Sequence, residues 1–246
     1  YSRTSQASAT EPVFHYWGGV DISENPYASD ELRALAGDTV YFTKLYGEFG
    51  PRATTFTRQF FAISAGLEGE FSNGWYWDLY FKTGGTDQQQ INRGQAHSDR
   101  WTQSRDVIAD PVTGEPICRD QSNGCVPFNV FGPVSQAAVD WVGIDQQEQK
   151  KSRQMVLSGS VSGDIVELPA GPVGAAFGFE YRKDKLDYNP DASYANGDNI
   201  FGSLRTPFKA EDSVKEVYGE LLVPIFKDAP MMKSLELELA ARYADY

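Results

Sequence analysis

Cys118 and Cys125 are the two side chains of this sequence best placed to react with one another. Six residues, 119–124, separate them. A zinc site draws four ligands from Cys, His and carboxylate side chains, and neither His15 nor His97 is near the pair or in ligand spacing with it. The pair is therefore read as a disulfide, with two free thiols as the alternative. The chain shows no phosphate loop, no nucleophile elbow and no serine–histidine constellation. Glu180, Glu216, Glu220, Glu236 and Glu238 are numerous enough to suggest acid–base work. Such catalysis needs a matched acid and base around one pocket. These carboxylates instead recur along alternating segments, in phase with Arg58, Arg182 and Arg242, and read as a solvated wall with its own ion pairs. The expectation is a chain that is not an enzyme and holds no metal or cofactor.

Side chains suited to ligand contact concentrate in two long polar segments, residues 84–149 and 184–212. Arg105, Trp141, Tyr194 and Phe201 are the candidates for binding a small-molecule ligand, since exposed aromatic and polar groups on loops commonly do so. The alternative is that they anchor a small core belonging to the loops. Two helical stretches are expected within the first segment, at 99–109 and 135–142, and a third lies earlier, at 30–36 before Gly37.

The elements that carry these loops alternate strictly between apolar and polar residues. In the last of them Leu235, Leu237, Leu239, Ala241 and Tyr243 oppose Glu236, Glu238, Ala240 and Arg242. A strand has a side-chain period of two, so one face is hydrocarbon and the other charged. The same pattern marks 55–71, 75–83, 152–167, 173–183 and 217–225, and a shorter strand is expected at 40–46. The connections at 72–74, 168–172 and 227–234 are short, and those at 84–149 and 184–212 are long. Successive turns of a meander fall at opposite ends of the sheet, so all short turns lie at one end and all long loops at the other. That asymmetry is the one found in bacterial outer-membrane barrels. Residues 1–37 read as a loop region with a turn at Asn25-Pro26-Tyr27.

Composition agrees with a β-rich chain. Of 246 residues 13% are aromatic, and 23 Gly and 13 Pro supply turns. Mean hydropathy is −0.45, and no stretch approaches the roughly 20 apolar residues of a membrane helix. Alternating barrel strands need no such stretch. The net charge of −12 argues against nucleic acid as a partner, because phosphate binding needs a basic surface. The sequence opens on a polar segment and closes inside an expected strand, and both ends read as cuts in a longer protein.

In order along the chain, Gly50-Pro51-Arg52, Gly66-Leu67-Glu68-Gly69 with Trp75-Tyr76-Trp77-Asp78, the loop from Cys125 through Val126-Pro127-Phe128-Asn129-Val130-Phe131 to Gly132, Leu168-Pro169-Ala170-Gly171 with Gly178-Phe179-Glu180-Tyr181-Arg182, Val217-Tyr218-Gly219-Glu220-Leu221, and Ala240-Ala241-Arg242-Tyr243-Ala244-Asp245 form a series. This series resembles the barrel portion of TonB-dependent outer-membrane receptors over roughly residues 50–246. The resemblance implies an all-β, antiparallel transmembrane barrel of 22 strands around a plug domain. This chain would supply six to seven of those strands and no plug. It implies location in the bacterial outer membrane and energised uptake of a scarce ligand, such as an iron–siderophore complex or an oligosaccharide. The implied partners are outer-membrane lipid, the remainder of the barrel with its plug, and the TonB complex reached through that plug. An oxidising compartment favours the disulfide reading of Cys118 and Cys125. Trp75, Trp77, Tyr181 and Tyr243 become candidates for an aromatic girdle at the membrane interface. The alternative is a soluble β-sandwich, such as a carbohydrate-binding module. The stretches 55–71 and 152–167 exceed the usual 5–6 residues of soluble strands and favour the barrel.

Overall fold

The structure is a computed structural model that describes residues 1–15, 18–229 and 232–246. In chain order its elements are β1 (Ser2–Thr10), β2 (Phe14–His15), β3 (Gly19–Asp21), α1 (Asp30–Ala36), β4 (Thr39–Tyr41), β5 (Lys44–Leu45), β6 (Arg52–Glu70), β7 (Tyr76–Ala96), α2 (Ser98–Arg105), β8 (Val107–Ala109), β9 (Pro116–Cys118), α3 (Gln136–Val142), β10 (Gly143–Leu168), β11 (Gly171–Pro190), α4 (Ala192–Asn196), β12 (Phe208–Ala229) and β13 (Met232–Asp245). The fold is all-β in character. Among the described residues seven strands form one antiparallel sheet in the order β1-β6-β7-β10-β11-β12-β13, and three further sheets are two-stranded pairs.

The sheet differs from the expected strands at their ends. β7 continues to Ala96 and β10 starts at Gly143, so much of the segment read as a loop at 84–149 is strand. β11 likewise reaches Pro190, and β12 begins at Phe208. Residues such as Gln88, Gln89 and Gln90 are polar on both faces, so the period of two vanishes there while the ladder goes on. The region read as loop at 1–37 contains β1, whose Ser, Thr and Gln residues pair with β6 from Ser2↔Phe60 to Thr10↔Arg52. The strand expected at 40–46 is instead split between β4, which pairs with β3, and β5, which pairs with β2.

Register keeps the two faces distinct across the sheet. Leu67, Leu79, Gly159, Phe179, Val217 and Tyr243 lie in one cross-strand row. Neighbouring rows on that face carry Ala65, Phe81, Leu157 and Tyr181, and Trp77, Val161 and Phe177. The opposite face carries the row Glu68, Asp78, Ser160, Gly178, Tyr218 and Arg242, flanked by Glu180 paired with Glu216 and by Glu220. Odd positions thus form one apolar face and even positions one polar face. Two bulges, between Asp164 and Val166 and between Pro224 and Phe226, shift this phase near the short turns. Beyond them Val166 pairs with Val173 and Phe226 with Leu235, so the even residues Val166 and Phe226 join the apolar face.

Three glycines on the apolar face lie under aromatic rings from the adjacent strand or the turn that leads into it. A Cβ built on Gly69 would lie 2.8 Å from the Trp77 ring, on Gly163 2.6 Å from Trp75, and on Gly159 2.9 Å from Phe179. Each ring uses the space the missing side chain leaves, which pins the pairing. The hairpin between β6 and β7 turns at Gly74, whose φ of +81° needs no Cβ. There the Phe71 amide donates to the Trp75 carbonyl at 2.7 Å.

Gly159 also faces the Asp78 carbonyl oxygen, at 3.1 Å from a built Cβ. Gly159→Val is therefore expected to destabilise the sheet by roughly 1–3 kcal/mol in denaturant unfolding, since backbone cannot give way as a side chain can. Unchanged stability would show that the ring-over-glycine packing does not set the register.

Candidate functional site

The short turns lie at one end of the sheet, and three long segments, 11–51, 97–142 and 191–207, leave it at the other. They fold into a single body. Its core collects Val13, Val20 and Ile22 from the first segment, and Trp101, Phe128, Val130, Val139 and Val142 from the second. Ile200 packs against that core from the third. At its centre Tyr46, Trp101 and Phe128 meet edge to face, with ring centroids 5.0–5.4 Å apart. No element of this body could bury its apolar side alone, which is why the three segments assemble together.

Local chemistry holds the pieces. Ser29 caps α1 by accepting from the Leu32 amide, and Gly37 ends the helix at φ +70°. From α1, Arg33 donates to the carbonyls of Ile22 at 3.1 Å and Asn25 at 2.7 Å. Ser135 caps α3 in the same way. Glu48 accepts from the Val134 amide at 3.0 Å, and that bond holds its carboxyl below the usual range. Cys118 and Cys125 are disulfide-bonded. The bond closes the stretch after the β8–β9 hairpin, and in the chain-entropy account a loop so short is stabilised by roughly 2–3 kcal/mol.

The body leans onto the even-numbered face of the sheet. Arg205 pairs with Glu148 of β10, and Tyr188 of β11 donates to the same carboxylate at 2.5 Å. Burial works against the Arg205 charge, but its bonds to Tyr188 and Glu148 more than offset this and hold the guanidinium above its ordinary range. Gln146 bonds Ser193 at 3.1 Å and Asn199 at 2.8 Å, and Asn92 bonds the Tyr194 hydroxyl. Gln146, Glu148, Asn92 and Tyr188 are all even, on the face that bears Asp78, Glu180 and Glu216.

These contacts place the candidate ligand residues. Arg105 and Phe201 come together with Phe14, Trp101, Ser98 and Thr102 around a cleft of about 580 Å³. The Arg105 Nε donates to the Trp101 carbonyl at 3.1 Å while its guanidinium lies 5.3 Å from the Trp101 ring centre. Burial lowers its pKa, though an arginine remains charged. Phe201 packs on Phe14 at 5.2 Å, and Arg52 lies over both rings. Trp141 is outside the cleft lining: its indole donates to the Asn123 carbonyl at 3.3 Å, and Arg100 lies over its ring, tying α3 to the disulfide loop. Tyr194 is buried beneath Arg205, where desolvation raises its hydroxyl pKa, and it clamps α4 to the sheet. Phe14 carried no signal, because it lies in a segment without periodicity. Trp101 stands four residues before Arg105, one helical turn away on the same face, and that spacing was readable. His97 lies 4.0 Å from Asp198, and among the described residues no group of three His, Cys, Asp or Glu side chains is placed to hold a metal.

The aromatics expected at a membrane interface fall at different levels of the apolar face. Trp75 and Trp77 are at the short-turn end, Tyr243 is in the row of Gly159, and Tyr181 is one row nearer the long loops. Comparison with protein families, with curated proteins and with solved structures finds no match to this chain.

Two variants test this assembly. Tyr46→Phe removes a hydroxyl that is buried without a hydrogen-bond partner, so stability should be unchanged or rise by about 1 kcal/mol; a clear loss in thermal unfolding would contradict the packing. Glu148→Ala strands Arg205, which is partly exposed, and is expected to loosen residues 191–205 by about 1–3 kcal/mol in amide hydrogen exchange. Undiminished protection there would show that the ion pair does not fasten the loop.

Proposed function

We propose that this chain forms part of the wall and the outer mouth of a TonB-dependent receptor barrel in a bacterial outer membrane. On this reading it works in the energised uptake of a scarce small-molecule ligand, with lipid against the odd face and the lumen against the even face. One observation carries the reading. The apolar rows are contiguous across β6, β7, β10, β11, β12 and β13, and protein does not cover them: Ile63 is 63% exposed, Leu67 65% and Leu239 51%. An exposed apolar surface of that extent calls for a partner. The apolar stretch of β10 runs from Met155 to Val166, about a dozen positions, close to the roughly 9–11 residues of a tilted membrane strand.

Other features support the same reading. β1 and β13 each have a neighbour on one side only, so the sheet is open. An open edge leaves unpaired backbone groups that hydrocarbon cannot satisfy, and the further strands of a barrel of about 22 would close it around a plug. The sandwich alternative needs a second sheet over the apolar face, and the remaining sheets are short pairs within the mouth body. For the ligand, the cleft offers flat apolar surface from Phe14 and Phe201, a guanidinium from Arg105 and hydroxyls from Ser98 and Thr102. An iron–siderophore complex and an oligosaccharide both present matching apolar faces with a polar rim.

The faces can be told apart by substitution. In a bilayer, Leu221→Arg should cost roughly 2–4 kcal/mol if the position is near the midplane, while Glu220→Arg should be mild. Equal tolerance at both positions would overturn the orientation. In the whole receptor, Phe201→Ala and Arg105→Ala should each weaken binding of the receptor's ligand about tenfold without altering barrel stability; unchanged affinity would move recognition away from this cleft.

A further inference from the structure

The cleft of about 580 Å³ has walls from different segments of the chain. One wall is the face of α2 that bears Ser98, Trp101, Thr102 and Arg105, spaced at i, i+3, i+4 and i+7. Another is the third segment, through Ile200 and Phe201. These two walls are joined at their bases. The Ser98 amide donates to the Asp198 carbonyl at 2.7 Å, and the Ile200 amide to the Ala96 carbonyl at 3.1 Å. His97 faces Asn199 there in an isolated antiparallel bridge. His97 also starts α2, its carbonyl accepting from the Trp101 amide at 2.8 Å. An ionisable pair crosses the same seam: His97 Nε2 lies 4.0 Å from the Asp198 carboxylate, with the two side chains only 20% and 25% exposed. The His97 Nδ1 is buried without a hydrogen-bond partner, so Nε2 is the nitrogen that answers the carboxylate.

At 4.0 Å the contact is too long for a hydrogen bond. A neutral imidazole gains little from it. An imidazolium ion gains a charge-assisted bond once the pair closes by about 1 Å, in a place where little solvent screens it. We propose that His97 and Asp198 form a pH-sensitive latch on the cleft, closed when the imidazole is protonated and slack when it is neutral. The inference rests on the cleft as the ligand site and adds its regulation: ligand is held in a mildly acidic medium and released more readily as the pH rises. Histidine is the side chain whose ordinary change of charge falls between about pH 5 and 8. A histidine that gains a carboxylate stabilises the closed form while protonated, and that contribution is lost as the pH rises through this range. The other charged groups on the adjoining elements are engaged elsewhere or exposed. Arg93 of β7 pairs with Asp145 of β10 at 3.8 Å, and Arg205 pairs with Glu148. On α2, Arg100 lies over Trp141, Arg105 lies over Trp101, and Asp99 is exposed. Asp140 of α3 accepts from Gln136 at 2.7 Å, and Asp191 caps α4.

The test is amide hydrogen exchange of the whole receptor in bilayer nanodiscs at about pH 5 and about pH 8, each rate divided by the intrinsic rate of an unfolded chain at that pH. Protection of residues 98–105 and 198–202 should be about three- to fivefold greater at the acid pH. His97→Gln and Asp198→Asn should each abolish that difference while residues 152–163 of β10 keep the protection they have in the unaltered protein. Equal protection of both walls at the two pH values, or a difference that survives in His97→Gln, would overturn the latch. Should a variant fail to fold, the unaltered protein decides alone, because the pH difference must be present in it and confined to these two stretches. A latch that responds as expected in a receptor whose Phe201→Ala and Arg105→Ala forms bind ligand normally would stand, and only the assignment of the cleft as ligand site would fall.

Discussion

Because successive side chains of a strand point to opposite faces, a one-residue slip at any pairing of this sheet would carry a whole strand's apolar set onto the charged side. The sheet is a single layer with no interior of its own, so its order depends on register more than on a packed core. Leu67 opposite Leu79, Leu157 opposite Phe81, Leu221 opposite Leu239 and Phe179 opposite Val217 all depend on the same phase. Rings lying over Gly69, Gly159 and Gly163 make a slip costly, since any larger side chain brought beneath them would collide. The bulges near the short turns bring Val166 and Phe226 onto the apolar face at the point where a simple alternation would have turned them away.

Once register has made two faces, the loop body has a defined place to sit. It docks by hydrogen bonds and an ion pair, through Gln146, Glu148, Asn92 and Tyr188, and it leaves the apolar face alone. Docking to the even face brings Phe201 beside Phe14 and Arg105. The cleft therefore depends on the same phase as the sheet: if β10 slipped, Glu148 would point away from Arg205 and the third segment would lose its anchor.

The sheet was legible in the sequence where one face is apolar and the other is not, as in Leu235 to Tyr243. It ceased to be legible where both faces are polar. That is why β7 runs on through Gln88 to Gln90, and why the Ser- and Thr-rich β1 read as loop. The pairing of Cys118 with Cys125 was readable from their number and spacing taken together with an oxidising compartment, and the bond is present. The loop body was not, because its core joins Val13, Phe128 and Val142 across more than a hundred residues, and no local period announces such contacts. Of the loop side chains singled out for ligand contact, Arg105 and Phe201 share a cleft, whereas Trp141 and Tyr194 spend their polar groups on neighbouring loop and sheet. Sequence position could not separate those pairs; burial and hydrogen bonding do.

The central claim is that the odd face meets lipid and the even face meets water. Single nitroxide labels placed in turn at positions 235–243 of β13, with the protein in a bilayer, test it most directly. Collision with oxygen, which concentrates in hydrocarbon, should peak at 237, 239 and 241. Collision with a water-soluble nickel chelate should peak at 236, 238, 240 and 242, giving two curves of period two in opposite phase. Equal access of the chelate to both sets, with no alternation, would contradict the account.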